Sequence, residues 1–333
     1  MISSKMKIAA LLPHLEVFGG VRRYLEIGNE LQKRGYSFVL FHPEGNKPEW
    51  FDFKGGIKPF PSLEEESYDI GLCSEYSLLP YFEKLKAKIK FFYFILEGHK
   101  NEKDVVKKNY FFLGNSGGIC RRLEKKYNIS CTKVAGGINP EIFFPLERRT
   151  QRNEFRVLCY GRLYRRRKGI RKVIRATEGL YRKNPQLRLI FFDTQVGEGR
   201  LDPRPLVKTK VPHDFYLNLP QSKMAWLYSQ ADVFVSAERR AGWSNTTAEA
   251  MACQIPVVCT KSGTQDFAVH NETALIVPFP HSFLLRQQTN RLIEDEKLRL
   301  SLARAGYKKI HEFTWSSVAD RLIKIFKERL KLK

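Results

Sequence analysis

The stretch Ala241-Gly242-Trp243-Ser244-Asn245-Thr246-Thr247-Ala248-Glu249-Ala250-Met251-Ala252-Cys253, continued by Gln254-Ile255-Pro256-Val257-Val258-Cys259, decides how this chain reads. A glycine-containing turn leads into Ser244-Asn245, residue types favoured at helix N-caps because their short side chains accept from first-turn amides. The periodic run behind them predicts a helix over 246–253, with Glu249 expected in its first turn, where a negative charge complements the dipole. Pro256 to Cys259 then reads as a short buried strand. Helix followed by apolar strand is the repeating unit of a parallel α/β sheet.

Outward from this unit the same rhythm fills the chain. Upstream in the second half, strands are predicted at 155–160, 187–192 and 233–236, with helices at 169–183 and 222–230. The segment between Phe192 and Val211 reads as irregular. Downstream come a strand at 274–277 and helical patterns at 283–294, 298–313 and 316–330. The first half runs strand 7–12, helix 21–33 after a Gly19-Gly20 loop, strand 37–41, strand 69–73, helix 78–86, strand 90–96, strand 110–114, helix 116–127 and strand 131–134. Gly136 to Pro140 is turn-rich, and the polar run 147–154 reads as a linker. The expected architecture is α/β, with two Rossmann-like doubly wound domains, 1–150 and 151–313, facing each other across a cleft. The terminal helix, about 314–333, is expected to pack back on the first. Ligands of such sheets bind outside the carboxyl ends of the strands, so chemistry is expected there.

Composition narrows the function classes. An apolar fraction of 43% with 13% aromatic residues suits folded domains and argues against disorder. The net charge of +23 favours anionic partners such as phosphates or membrane surfaces. Its carriers are spread along the chain instead of being gathered with aromatics on one element, which argues against a nucleic-acid module. The six cysteines stand singly, without CxxC or zinc spacing, and fall mostly in apolar runs. They are expected to be reduced, in a cytoplasmic protein. The N-terminal apolar stretch is too short for a span and has no small-residue cleavage site, so a soluble or membrane-peripheral chain is expected.

One segment is built for anions. Gly161-Arg162-Leu163-Tyr164-Arg165-Arg166-Arg167-Lys168-Gly169 joins the first strand of the second half to its helix. Such a junction offers backbone amides and the positive end of a helix dipole. Arg162 and Lys168 flank it and add a forked and a compact cation, the makings of a diphosphate site. Arg165, Arg166 and Arg167 read as a solvated face. Glu249 would repel a phosphate and is better suited to accept from ribose hydroxyls.

These segments, together with Gly19-Gly20-Val21-Arg22-Arg23, resemble the family 4 retaining glycosyltransferases of the GT-B fold. The likeness extends over most of the chain and includes Asn115-Ser116, Asn139 to Pro145, Leu227 to Val235 and His270 to Pro278. The string AEAMACQIPVVCT is its most specific part, whereas the Gly-Gly loop alone is weak. The resemblance implies a nucleotide-sugar donor held by Gly19, Gly20, Gly161, Arg162, Lys168, Gly242, Trp243, Ser244, Asn245, Thr246 and Glu249. It implies catalytic roles for Arg162, Lys168, Glu238 and His99, and no metal or other cofactor. Glu97, His14 and Thr264 are further candidates for lining the cleft. One departure stands out: the family carries a second glutamate eight positions before Glu249, and here that position is Ala241. Glu238, three residues upstream, is the carboxylate that could cover the loss. Gln254 also stands where the family commonly has glycine.

The expected reaction is transfer of a sugar from a nucleotide-sugar donor to a glycan or lipid-linked acceptor with retention at the anomeric carbon, in surface polysaccharide or glycolipid synthesis. Cations and helix-end amides would stabilise charge growing on the leaving diphosphate. The rivals are a nucleotide-sugar epimerase of the same architecture and a non-catalytic protein binding polyanions or an anionic membrane. A dinucleotide oxidoreductase is disfavoured because neither half has GxGxxG after its first strand.

Overall fold

The structure, a computed structural model, describes residues 6–147, 153–196 and 201–332. Most of the expected linker, part of the segment before Val211 and both chain ends lie outside these residues. Packing divides the chain into one unit of Met1–Gly137 with Trp315–Lys333, and a second of Ile138–Thr314.

In the first unit the elements run β1 (Lys7–Leu11), α1 (Gly19–Lys33), β2 (Ser37–His42), β3 (Gly56–Pro59), β4 (Tyr68–Cys73), α2 (Leu79–Lys84), β5 (Ala87–Phe94), α3 (Glu102–Val105), β6 (Phe111–Gly114), α4 (Gly117–Tyr127) and β7 (Cys131–Lys133). The sheet order is β3-β2-β1-β4-β5-β6-β7, with every pairing parallel. Alternation along β1 explains why the strands are apolar throughout. Ile8 and Ala10 face one core with Val21 and Tyr24 of α1, while Ala9 and Leu11 face another with Phe82 and Ile119. A sheet covered on both faces has no polar side to present.

The second unit repeats the plan: β8 (Phe155–Tyr160), α5 (Ile170–Tyr181), β9 (Leu187–Asp193), β10 (His213–Leu217), α6 (Met224–Ser229), β11 (Val233–Val235), α7 (Asn245–Ala252), β12 (Val257–Thr260), β13 (Leu275–Val277), α8 (Ser282–Glu294) and α9 (Glu296–Ile310). Its sheet, also parallel, has the order β10-β9-β8-β11-β12-β13. The last helix, α10 (Trp315–Leu330), returns to the first unit. There Trp315, Val318, Leu322 and Phe326 join the core that includes Tyr24 and Phe91.

Both sheets have the Rossmann order, in which the chain winds outward from the first strand and then reverses at the fourth. The expected fold class is found: two Rossmann-like α/β units. Two strands were not expected, β3 and β10. Each is an outer strand with mixed burial and so gives a weaker alternation signal. Gly19 and Gly20 form the start of α1 itself instead of a loop ahead of it.

Candidate active site

The reversal in the second sheet falls between β8 and β11, and the loops leaving those strands carry the predicted cations and carboxylate. After β8, Gly161 donates to the Phe192 carbonyl at 2.7 Å. A side chain on Gly161 would meet the Phe215 ring at 2.5 Å, so glycine lets this loop lie against β10. The loop then makes a turn, and Arg239 N–H donates to the Arg167 carbonyl at 2.7 Å, tying it to the loop after β11. Gly169 closes the turn with φ of +68°, and a Cβ there would run into the Ala237 carbonyl. Both the conformation and the close approach require glycine.

Arg162 is buried within this frame at 7% exposure. Its Nε and Nη2 converge on Asp193 Oδ1 at 3.0 and 2.9 Å, and Nη2 also donates to the Thr194 carbonyl at 2.9 Å. Asp193 ends β9 and accepts from Thr194 N–H at 2.8 Å. Burial pushes the Asp193 carboxyl up, and Arg162 draws it part of the way back. The Tyr160 ring lies near both cations, 5.1 Å from Arg162 Cζ and 5.3 Å from Lys168 Nζ. That places its electron-rich face where each is attracted. Burial raises the Tyr160 hydroxyl well above its ordinary value, so the ring stays neutral.

Lys168 Nζ bonds Glu238 Oε1. The same carboxylate accepts the Ser244 hydroxyl on Oε2 at 3.1 Å, and Ser244 Oγ lies 2.8 Å from Thr247 Oγ1. Ser244 therefore caps α7 by position but spends its hydroxyl on Glu238; no first-turn amide of α7 is capped by it. Thr260, ending β12, donates to the Glu238 carbonyl at 2.6 Å and fixes the backbone at this residue. A small hollow is lined by Tyr160, Lys168, Ser236, Glu238 and Thr246 among others. Arg165, Arg166 and Arg167 are exposed.

Of the remaining candidates in this unit, Gly242 is buried beside Ser244, and Asn245 and Thr246 open α7 half-exposed. Glu249 lies in the second turn of α7, not the first, and its Oε2 accepts the Tyr228 hydroxyl at 2.9 Å. Tyr228 also donates to the Thr246 carbonyl at 3.2 Å, which links Glu249 to the helix start. Trp243 packs its ring on Phe267 and Phe313, at centroid distances of 4.7 and 5.4 Å, and is 7% exposed. Its ring belongs to that aromatic cluster. Thr264 donates to the Thr260 carbonyl at 2.7 Å within the β12 turn. Gln254 takes φ of +57°, the backbone state for which glycine is favoured.

Gly19, Gly20, His14, Glu97 and His99 belong to the first unit. A Cβ on Gly20 would touch Ile95 at 3.0 Å, so the start of α1 lies close to the end of β5. His99 is exposed and stacks on Tyr76 with centroids 3.9 Å apart. Its Nδ1 accepts from Asn101 N–H at 3.2 Å, and its own amide donates to Glu102. Burial raises the Glu97 carboxyl and lowers the His14 imidazole. Sequence reading missed Asp193 altogether. The available signal was an acid ending an apolar strand, beside the strand that leads to Arg162.

Residues 141–309, just over half of the chain, match the family model described as glycosyl transferases group 1. The capsular polysaccharide biosynthesis glycosyltransferase CapM of Staphylococcus aureus is 26% identical over 167 residues, 49% of this chain. That match spans 44% of CapM, less than half of the relative's length. Among solved structures, sucrose-phosphate synthase from Thermosynechococcus elongatus superposes with a TM-score of 0.81 at 16% identity, covering 98% of this chain and all of that one. Anabaena HepE in complex with UDP-glucose superposes with a TM-score of 0.74 at 14% identity, over 97% of this chain and all of HepE. The likeness to these structures establishes the GT-B fold. With the family model spanning the loops that carry Arg162, Lys168 and Glu238 and the helix that carries Glu249, the chain belongs to the glycosyl transferases group 1.

Proposed function

We propose that this chain is a family 4 retaining glycosyltransferase, moving a sugar from a nucleotide-sugar donor to a glycan or lipid-linked acceptor without a divalent metal. The observation that carries the reading is the meeting of Lys168 and Glu238 across the switch point of the second sheet, with Arg162 fixed beside them by Asp193. A nucleoside diphosphate laid on that edge would meet a forked and a compact cation already held in place. Fixed cations stabilise charge on a departing diphosphate without reorganising at the moment of bond breaking. Glu238 serves twice in this scheme, orienting Lys168 and presenting a carboxylate where positive charge develops on the sugar ring. The leaving diphosphate takes the acceptor's proton on the same face, which retains configuration.

Glu249, on the second turn of α7, is proposed to hold the donor's ribose, with the Tyr228 hydroxyl fixing its carboxylate. HepE binds UDP-glucose, and a UDP-sugar is accordingly the first donor to try. CapM acts in capsular polysaccharide biosynthesis, and the net charge of +23 suits work beside an anionic membrane, so a surface-glycan acceptor at the cytoplasmic face is proposed. No helix among the described residues is long and apolar enough to cross a membrane.

The test is a panel of UDP-, GDP-, dTDP- and ADP-sugars, read by thermal shift, by release of nucleoside diphosphate with acceptor present, and by NMR of the product anomer. One donor should raise the melting temperature and yield a product with the donor's configuration. Inversion refutes retention. Interconversion of free donor without transfer points to an epimerase, and no shift with any donor rejects the reading.

A further inference from the structure

We propose that Cys120 and Cys131 form a redox-active dithiol that closes to a disulfide when the chain meets a small disulfide oxidant. Their sulfurs lie 3.1 Å apart, in the first unit, one on α4 and the other opening β7. A disulfide bond is about 2.05 Å long, so closure needs roughly 1 Å of approach. Gly114 makes the pairing possible. A Cβ at that position would lie 2.6 Å from Cys120 Sγ and 3.2 Å from Cys131 Sγ, so the two sulfurs occupy the space that a side chain would have filled. No other pair of the six buried cysteines shows a sulfur–sulfur contact among the described residues.

The two sulfurs differ in chemistry. The Cys131 thiol donates to Cys120 Sγ. That contact and burial together push the Cys131 thiol strongly up. Cys120 lies in the first turn of α4, where the helix dipole favours a thiolate, and is assigned as the attacking sulfur. Its thiolate displaces one sulfur of the oxidant, giving a mixed disulfide and releasing one small thiol. Cys131 then loses its proton, attacks Cys120 Sγ and releases the second small thiol. Two electrons pass from the protein sulfurs to the oxidant, and the two protons end on the released thiols.

Access comes from the edge of the sheet. The side chains are 5% and 7% exposed, so a reagent must wait for a local opening. β7 is three residues long and pairs only with β6, the arrangement that opens at low cost. The crosslink ties α4 to β7 across a short loop. The same helix is capped by Ser116, two residues past the carboxyl end of β6, so the brace reaches the ligand-facing edge of the first sheet.

The experiment treats the native full chain with oxidised glutathione, quenches in acid, denatures, alkylates and maps the peptides. The expected result is a Cys120–Cys131 link with loss of two hydrogens, the other four cysteines alkylated, and a melting temperature raised by about 5 °C. Alkylation of both Cys120 and Cys131, or a glutathione adduct that persists on either in the wild-type chain, overturns the proposal. Cys131→Ser gives an independent reading: without its resolving thiol, Cys120 should keep glutathione as a stable mixed disulfide. Failure of that variant to accumulate the adduct contradicts the assignment of the attacking sulfur.

Discussion

Lys168 Nζ, on the loop after β8, bonds the carboxylate of Glu238, on the loop after β11, and so joins the two strands between which the second sheet reverses its winding. Glu238→Gln keeps the shape of the side chain and removes its charge. We expect kcat to fall by about 100-fold, with a much smaller change in the donor's KM, as for an interaction made mainly in the transition state. Steady-state kinetics with the active donor checks this. An unchanged kcat removes Glu238 from the reaction.

Asp193 holds Arg162 from inside the unit. Asp193→Ala leaves a buried guanidinium without its carboxylate, which should cost about 3–5 kcal/mol of stability. Urea unfolding at neutral pH measures it. A loss below about 1 kcal/mol would show that Arg162 turns out to solvent at little cost.

Gly169 sits at φ of +68° with the Ala237 carbonyl where a Cβ would stand. Gly169→Ala combines left-handed strain of about 1–2 kcal/mol with a backbone clash, so it should destabilise by at least that amount. Because the turn also places Lys168, donor affinity should fall in the same variant. Calorimetric melting and donor titration on one preparation separate the two effects.

How much of this was legible follows from where the signal resides. The buried strands were readable because both faces of each sheet are covered, leaving unbroken apolar runs such as Ile8 to Leu12. β3 and β10 were not, since an outer strand such as His213–Leu217 is half-exposed along its length. Arg162 and Lys168 stood out as charges flanking the Gly161–Gly169 turn, and Glu238 as the carboxylate nearest the position where the family motif has a glutamate and this chain has Ala241. Asp193 did not, because its meaning depends on Arg162, 31 residues away in sequence. Glu249 was read one turn too early, since α7 begins at Asn245. Trp243 was read as a donor-site residue, and the structure adds that its ring packs on Phe267 and Phe313. The nearness of Cys120 and Cys131 arises only when α4 folds back along β7.

In the first unit, Glu102 is fully buried and accepts from both arms of Arg122 and from the amides of Gly98 and His99. Burial alone would raise its carboxyl, but these donors outweigh it and hold it below the usual carboxylate range. A depressed folded value means that the stabilisation is present above the unfolded value of about 4.3 and is lost as pH falls from there through the folded value. Glu102→Gln should therefore lower stability at neutral pH and flatten the acid limb of the stability curve below about pH 4. Melting temperatures from pH 7 to pH 3 test it; parallel curves for the two proteins contradict it.

Calorimetric titration of UDP into the wild-type chain and into the folded Arg162→Ala/Lys168→Ala variant tests the central claim most directly. The account predicts saturable binding to the wild type and at least about 100-fold weaker binding to the variant, the effect of losing two charge-assisted contacts to phosphate. Equal affinities in the two proteins would contradict it, because the diphosphate would then rest on other groups.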